Sequence, residues 1–290
     1  MTEENDFNVE LTQEVKRIVK KMGADKVGIA DANLSFKPPH GHADPRDLLA
    51  NATTFISYAL KIPDSACEAN NEDDLIQTGG FITIQNQLHE KASQIGLQIS
   101  QFIEKLGYDS IPASPIAFDE SKNIWPGVIS QRHIAQMAGI GEVGLSNLFL
   151  TPEWGPRIIL GSVLTDAPLK PDGPKLVDKV CLNCKKCIEA CPTRALSAEN
   201  YPPFNYNLNR CLWGVQGWYR LTKVEEPPED WVAGKPNAKI VFPKYKKKYP
   251  QIEKYSKESN RYANYPFCQE CLIQCKVGKD AYMKRIGEED

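Results

Sequence analysis

Four cysteines spaced C-x2-C-x2-C-x3-C and closed by proline, CLNCKKCIEACP at 181–192, are the residues of this 290-residue chain that most plainly announce chemistry. Thiolates at that spacing wrap iron–sulfur cubanes. Three of them follow one another around one cluster, and the chain after the third carries the fourth to a second cluster. Eight of the nine cysteines lie beyond residue 180: Cys181, Cys184, Cys187, Cys191, Cys211, Cys268, Cys271 and Cys275. Eight thiolates are what two [4Fe–4S] clusters require. The crossover rule gives Cys181, Cys184, Cys187 and Cys275 to one cluster. Cys191, Cys268 and Cys271 begin the other, and Cys211 is the remaining candidate for its fourth ligand, displaced from its motif by a long insertion. Pro192 follows Cys191, whereas Lys276 stands after Cys275 where a proline is usual. Structural zinc and free thiols are the alternatives, but four-cysteine zinc sites favour paired C-x2-C knuckles over a run with this x3 step. Cys67, in DSACEAN, reads as a bystander thiol.

Hydrophobic content of 41% and charged content of 25% belong to a globular protein. A net charge of −2 gives no overall attraction to nucleic acid or to an anionic membrane. The opening MTEENDFNVELTQEVKRIVK has no basic n-region, apolar h-region or twin arginine, so no export signal is expected. No apolar run reaches the ~18–20 residues that cross a bilayer; RIILGSVLT (157–165) is the longest and reads as a buried strand. Nine cysteines in such a chain point to a reducing, cytoplasmic setting.

The elements that must position the thiols come next. Val9, Leu11, Val15, Ile18, Val19 and Met22 recur at helical spacing before Gly23. DKVGIAD (25–31) and TTFISYALKIP (53–63) read as strands, and 81–106 as the longest helix, stopped by Gly107. SQRHIAQMAG (130–139) reads as a shorter helix running into the turn AGIGEVG, followed by a strand at 157–166. Strands alternating with helices predict an α/β or α+β layered domain over 1–170. The stretch APLKPDGPK (167–175), with three prolines and a glycine, marks the boundary with a cysteine-rich domain over 171–290. Its insertion, 201–267, holds 14 of the chain's 26 aromatic residues, among them Tyr201, Phe204, Trp213, Trp218, Tyr219, Trp231 and Tyr245. They serve either as packing around the clusters or as a wall for a flat cofactor. Within it PKYKKKY (243–249), with Lys246, Lys247 and Lys248, is a solvated loop or a contact for RNA phosphates and bases.

AGIGEVGLSNLFLTPEWGPRIILGSVLTDAPLKPDGP (138–174), ahead of CLNCKKCIEACP, resembles the epoxyqueuosine reductases of tRNA modification and the reductive dehalogenases. In both, an A-G-L-G-x-x-G turn precedes a strand ending in T-D-x-P-L, and two ferredoxin-type clusters follow. TPEWGPR and PLKPDGP are similar to the dehalogenases, VGIADA (27–32) to the epoxyqueuosine reductases, and RCLWG (210–214) to both. The resemblance implies an α+β fold: a nitroreductase-like catalytic domain followed by a ferredoxin-like double-cluster domain. It also implies a base-off cobalamin, reduced one electron at a time through the clusters, that attacks an epoxide or a carbon–halogen bond. The electron donor would be a ferredoxin or flavodoxin, and the substrate a small molecule or tRNA. By position, Gly139, Gly141 and Gly144 allow close backbone approach to a large cofactor, or simply end a helix in a tight turn. Arg157 would bind an anionic substrate group or a cofactor amide, or form a surface ion pair. His133 would donate a proton near neutral pH, or sit partly buried and satisfied. The chain departs from the family where an aspartate supplies a proton. KNIWPGVISQRH (122–133) has none, Asp119 and Glu120 lie upstream, and no tyrosine occurs between Tyr108 and Tyr201. The alternative to a cobalamin-dependent reductase is therefore a non-catalytic two-cluster protein that feeds electrons to a partner enzyme.

Overall fold

Asn8 starts the first helix, α1 (Val9–Lys21), by accepting the Leu11 N–H at 2.9 Å. Glu10 in its first turn and Lys20 and Lys21 in its last suit the helix dipole. The computed structural model describes residues 8–32, 44–69, 75–113, 118–119, 124–127, 129–173, 179–199, 206–233, 244–259 and 268–287. After α1 come β1 (Lys26–Asp31), β2 (Thr54–Lys61), α2 (Asp64–Glu68), α3 (Leu75–Lys105) and β3 (Ser110–Ala113). Then follow β4 (Phe118–Asp119), β5 (Ile124–Gly127), α4 (Gln131–Met137), β6 (Glu142–Val143), β7 (Phe149–Leu150) and β8 (Ile158–Thr165).

The main sheet has the order β1-β2-β8-β3 and is antiparallel throughout. β2 and β8 are apolar on both faces because both faces are covered. Ile56, Tyr58 and Leu60 point to α1 and α3, against Val15, Val19, Ile95 and Ile99. Phe55 and Ala59 point the other way, to Ile134, Ala135 and Ala138 of α4. Each such fully buried large side chain contributes about 1.5–3 kcal/mol, so the three layers hold each other in place. The result is an α+β arrangement. β3 was not foreseen: it is four residues long and contains Pro112, which a sheet tolerates at its edge.

The proline-rich stretch after β8 is bound into this body over its first seven residues. Ala167 and Leu169 are fully buried, and Asn8 bridges to Leu169. Asp172 closes the free edge of β1, giving its N–H to the Ile29 carbonyl at 2.9 Å and accepting the Ile29 N–H at 2.7 Å. Residues 174–178 lie outside the described ones.

Beyond residue 179 come α5 (Lys186–Glu189), α6 (Leu208–Val215), α7 (Trp218–Thr222) and α8 (Glu229–Ala233). Further helices follow at 244–248, Pro250–Ser259, Glu270–Ile273 and Lys276–Ile286. Leu272 and Ile273 enter the main core beside α1 and α3. Trp213, Trp218, Trp231 and Tyr245 make a separate aromatic core with ring centroids 5.1–6.5 Å apart.

Candidate metal centres

The chain from Cys181 to Cys187 is bent by two residues in the left-handed region, Asn183 (φ 53°) and Lys185 (φ 63°), before α5 carries Cys191 away. The eight cysteines then gather in two sets. Burial first, and then the neighbouring sulfurs of Cys181, Cys275 and Cys184, push the Cys187 thiol up to about 12. Burial likewise raises Cys271, with the thiols of Cys268, Cys211, Cys191 and Cys187 adding to it. Four thiolates crowded into low dielectric repel one another, and only a cationic core makes the deprotonated set tolerable.

Cys181, Cys184, Cys187 and Cys275 line one open pocket together with Leu145 and Val277. No group of three or more His, Cys, Asp or Glu among the described residues converges as it would on a single ion. The thiols reach the pocket from two separate chain segments, 181–187 and 275. Backbone donors are aimed at them: Leu145 N–H to Cys181 Sγ at 3.4 Å and Ala195 N–H to Cys191 Sγ at 3.2 Å. The N–H groups of Val277 and Gly278 lie against Cys275 at the start of helix Lys276–Ile286.

The glycine turn packs between α4, β7 and this sulfur site. Gly139 (φ 69°) ends α4 in the left-handed conformation. A Cβ on Gly141 would lie 2.0 Å from the Leu150 carbonyl oxygen. One on Gly144 would lie 2.4 Å from Leu150 Cδ1 and 3.6 Å from Cys181 Sγ. The close approach at Gly141 and Gly144 is therefore to β7 and to a thiol. Glu142, between these two glycines, accepts the Cys181 N–H at 2.6 Å and clamps the first cysteine to the sheet domain. Changing Gly141 to Ala should destabilise the protein by about 1–3 kcal/mol, the usual range for overpacking. A urea midpoint would show it, and the variant should lose iron faster than wild type on chelation.

No family model matches the chain. It is 30% identical over 227 residues to an epoxyqueuosine reductase of Vibrio cholerae, covering 66% of this chain and 55% of that protein. It is 34% identical over 229 residues to a tetrachloroethene reductive dehalogenase of Dehalobacter restrictus, covering 67% of this chain and 40% of that one. The chain is a homologue of both. It spans about half the length of these curated relatives. A solved reductive dehalogenase described as B12-dependent aligns over 94% of this chain and 39% of its own, with a TM-score of 0.57 and 19% identity, a likeness of fold.

In this reductase homologue Arg157 is not where a substrate anion or surface partner would meet it. Its side chain is 0% exposed and bridges Glu68 at 2.5 Å and Asp64 at 3.4 Å. The guanidinium also lies 5.9 Å from the Tyr282 ring centroid, and Gly278 leaves the space its Nε occupies. It ties β8 to the helix that begins at Cys275. Cys67 is fully buried next to it, its thiol pushed up to about 11 by burial, and has the inert character of a packing residue. His133 stands in the first turn of α4 with Nδ1 2.5 Å from Ser130 Oγ.

The aromatics fill a core of their own and line no described cavity: Trp213 Nε1 donates to the Val224 carbonyl and Trp231 Nε1 to the Asn209 carbonyl. Tyr201 and Phe204 lie outside the described residues. The lysine run is on the surface, but Tyr245, 2% exposed, and the half-buried Tyr249 stack parallel beneath it. Those tyrosines turn inward, so any contact with RNA there falls to the lysines and to phosphate. Of the two carboxylates upstream of that stretch, Asp119 is placed in β4 by its backbone alone, and Glu120 lies outside the described residues. Glu142 and Tyr206 carried no sequence signal; their importance comes from packing against the cysteines.

Proposed function

We propose that this chain is a cytoplasmic oxidoreductase with two [4Fe–4S] clusters that acts with cobalamin on an organic epoxide or carbon–halogen substrate. Cys181, Cys184, Cys187 and Cys275 hold one cluster; Cys191, Cys211, Cys268 and Cys271 hold the other. Residues 1–170 form a nitroreductase-like catalytic domain and 171–290 a ferredoxin-like domain with the aromatic insertion. The single observation that carries this reading is the gathering of eight cysteines into two thiol sets against a layered domain. Homology to two kinds of reductase sets the reaction class. All nine cysteines are free, in keeping with a reducing compartment. No helix among the described residues is long and apolar enough to cross a membrane.

A corrinoid, when bound, supplies the reductive cleavage of a C–O or C–halogen bond, chemistry no side chain performs. At Gly141 and Gly144 the glycine turn packs against Leu150. The chain's own residues supply the rest. Cys184 and Leu182 stand exposed at the rim of the first cluster site, open to a one-electron donor such as a ferredoxin or flavodoxin. His133, held by Ser130, is the candidate proton source on the sheet domain.

The test is an anaerobic titration of cluster-reconstituted protein with hydroxocobalamin, followed by visible absorption and EPR after reduction. Retention near one cobalamin per chain with a base-off cobalt signal is the expected result. Intact cluster signals with no cobalamin retained would overturn it in favour of a two-cluster electron carrier serving a partner enzyme.

A further inference from the structure

The rim of the first thiol pocket is exposed and cationic. Of the eight cysteines beyond residue 180, Cys184 is the one that stands exposed. Cys191, Cys211, Cys268 and Cys271 are all partly covered, and Cys268 packs against the tryptophan core. Beside Cys184, Leu182 keeps 57% of its surface in solvent, more than any other large apolar side chain among the described residues. Lys185 and Lys276 are the charged side chains lining the same pocket, and both are exposed. No carboxylate among the described residues lines it or pairs with either lysine, whereas the neighbouring Lys186 is answered by Glu189 at 2.9 Å. Lys185 is set at the lip by its left-handed backbone ahead of α5 (φ 63°). Lys276 opens the helix after Cys275, in the place where a ferredoxin motif usually has proline. The whole chain has a net charge of −2, so this rim is a local feature and not part of a generally basic surface. An apolar centre within a charged rim is the anatomy of a protein interface.

We propose that the face formed by Leu182, Cys184, Lys185 and Lys276 docks a small, acidic one-electron carrier protein, and that electrons enter at the cluster held by Cys181, Cys184, Cys187 and Cys275. This rests on the two-cluster reading above and is independent of cobalamin. Electron transfer between proteins needs one redox centre brought close to the surface, and Cys184 brings the first cluster there. The other thiol set has no exposed cysteine to serve that purpose. In each transfer the reduced carrier loses one electron and the cluster gains one, and no bond forms or breaks. Leu182 supplies the dry centre of the contact. The two lysines speed the encounter with an acidic partner, an effect on the association rate that salt screens. A carrier that must leave after one electron needs only a small contact, and redox encounters lie at the low end of interface size. Nucleic acid is another polyanion that lysines attract, but the exposed leucine offers a phosphate nothing, and a phosphate brings no electron.

The experiment follows reduction of the anaerobically reconstituted full chain by stopped-flow absorption. Flavodoxin hydroquinone is the acidic carrier, and dithionite is a reductant too small to need a docking face. Wild type is compared with the double variant Lys185→Asn, Lys276→Gln, with iron assayed in both. Asparagine is chosen because it tolerates the left-handed backbone at 185. The double variant should lower the second-order rate with flavodoxin about tenfold at low salt, the lower end of electrostatic steering. Its rate with dithionite should be nearly that of wild type. Added salt should slow the wild type with flavodoxin and bring the two proteins together. An unchanged flavodoxin rate in the variant overturns the proposal. Equal slowing with dithionite overturns it too, because the effect would then lie in the cluster and not in docking. If the variant loses iron, the wild-type salt series decides: slowing by salt supports the proposal, and a rate that salt leaves unchanged overturns it. Retention of tRNA by wild type and not by the variant, with equal flavodoxin rates, would assign the rim to phosphate and overturn it as well. Failure of the cluster reading itself shows in the wild type, as iron well short of two clusters, and takes this proposal with it.

Discussion

Removing Cys211 and Cys275 one at a time should each strip the protein of one cluster, and a different one. Iron should fall from about eight to about four per chain in either alanine variant, as expected when one four-iron cluster of two loses a ligand. The decisive case is the pair Cys187→Ala with Cys275→Ala. These two thiols sit in one set, with Cys187 feeling Cys275 directly. The double variant should therefore still hold about four irons. Were the clusters assembled from neighbours in sequence, Cys181 to Cys191 in one and the rest in the other, the same double variant would lose both. Burial makes the losses complete, because both Cys211 and Cys275 have thiols raised by desolvation, so solvent is poorly placed to supply a replacement ligand. Iron and sulfide analysis of anaerobically reconstituted protein decides between the two assemblies.

Replacement of Arg157 by Met should destabilise the fold by about 3 kcal/mol, at the lower end of the range for breaking a buried ion pair. The lower end follows from the partners. Asp64 keeps Lys61 at 2.7 Å and Arg285 at 3.4 Å when the arginine is gone, whereas Glu68 loses its 2.5 Å partner. Glu68 keeps about a fifth of its side chain exposed and can recover some hydration. A lysine at 157 should fall short of rescue, since it cannot reach two carboxylates with a planar fork. Because Arg157 packs against Gly278 and the ring of Tyr282, the same variant should loosen helix Lys276–Ile286 and with it Cys275. Urea denaturation of the metal-free protein measures the first effect, and a change under about 0.5 kcal/mol, the scale of an ordinary surface substitution, would refute it. Chelator-driven iron loss measures the second.

The sequence by itself determined the periodic and the stoichiometric features. α1 spans Val9–Lys21 and α4 Gln131–Met137, close to the ranges that apolar spacing and the glycines set. The strands at 26–31, 54–61 and 158–165 stand where uninterrupted apolar runs placed them. Such signals are local: a helix face or a strand repeats within a few residues whatever it packs against. The cysteine spacing is local too, and with the crossover rule it assigns the eight thiols to two sets.

Tertiary structure decided the rest. Strands buried on both faces read as parallel ones, yet this sheet is antiparallel, because α1 and α3 cover one face and α4 the other. A short glycine turn looks the same in sequence whatever packs on it, and only the fold places Leu150 against Gly141 and Gly144. Arg157 read as a surface or substrate-binding charge until Asp64 and Glu68, some 90 residues away in sequence, were seen to enclose it. His133 drew attention through its chemistry, while its neighbour Arg132 drew none. Arginine is ordinary in a helix, and only the fold brings this one to the Asn147 carbonyl.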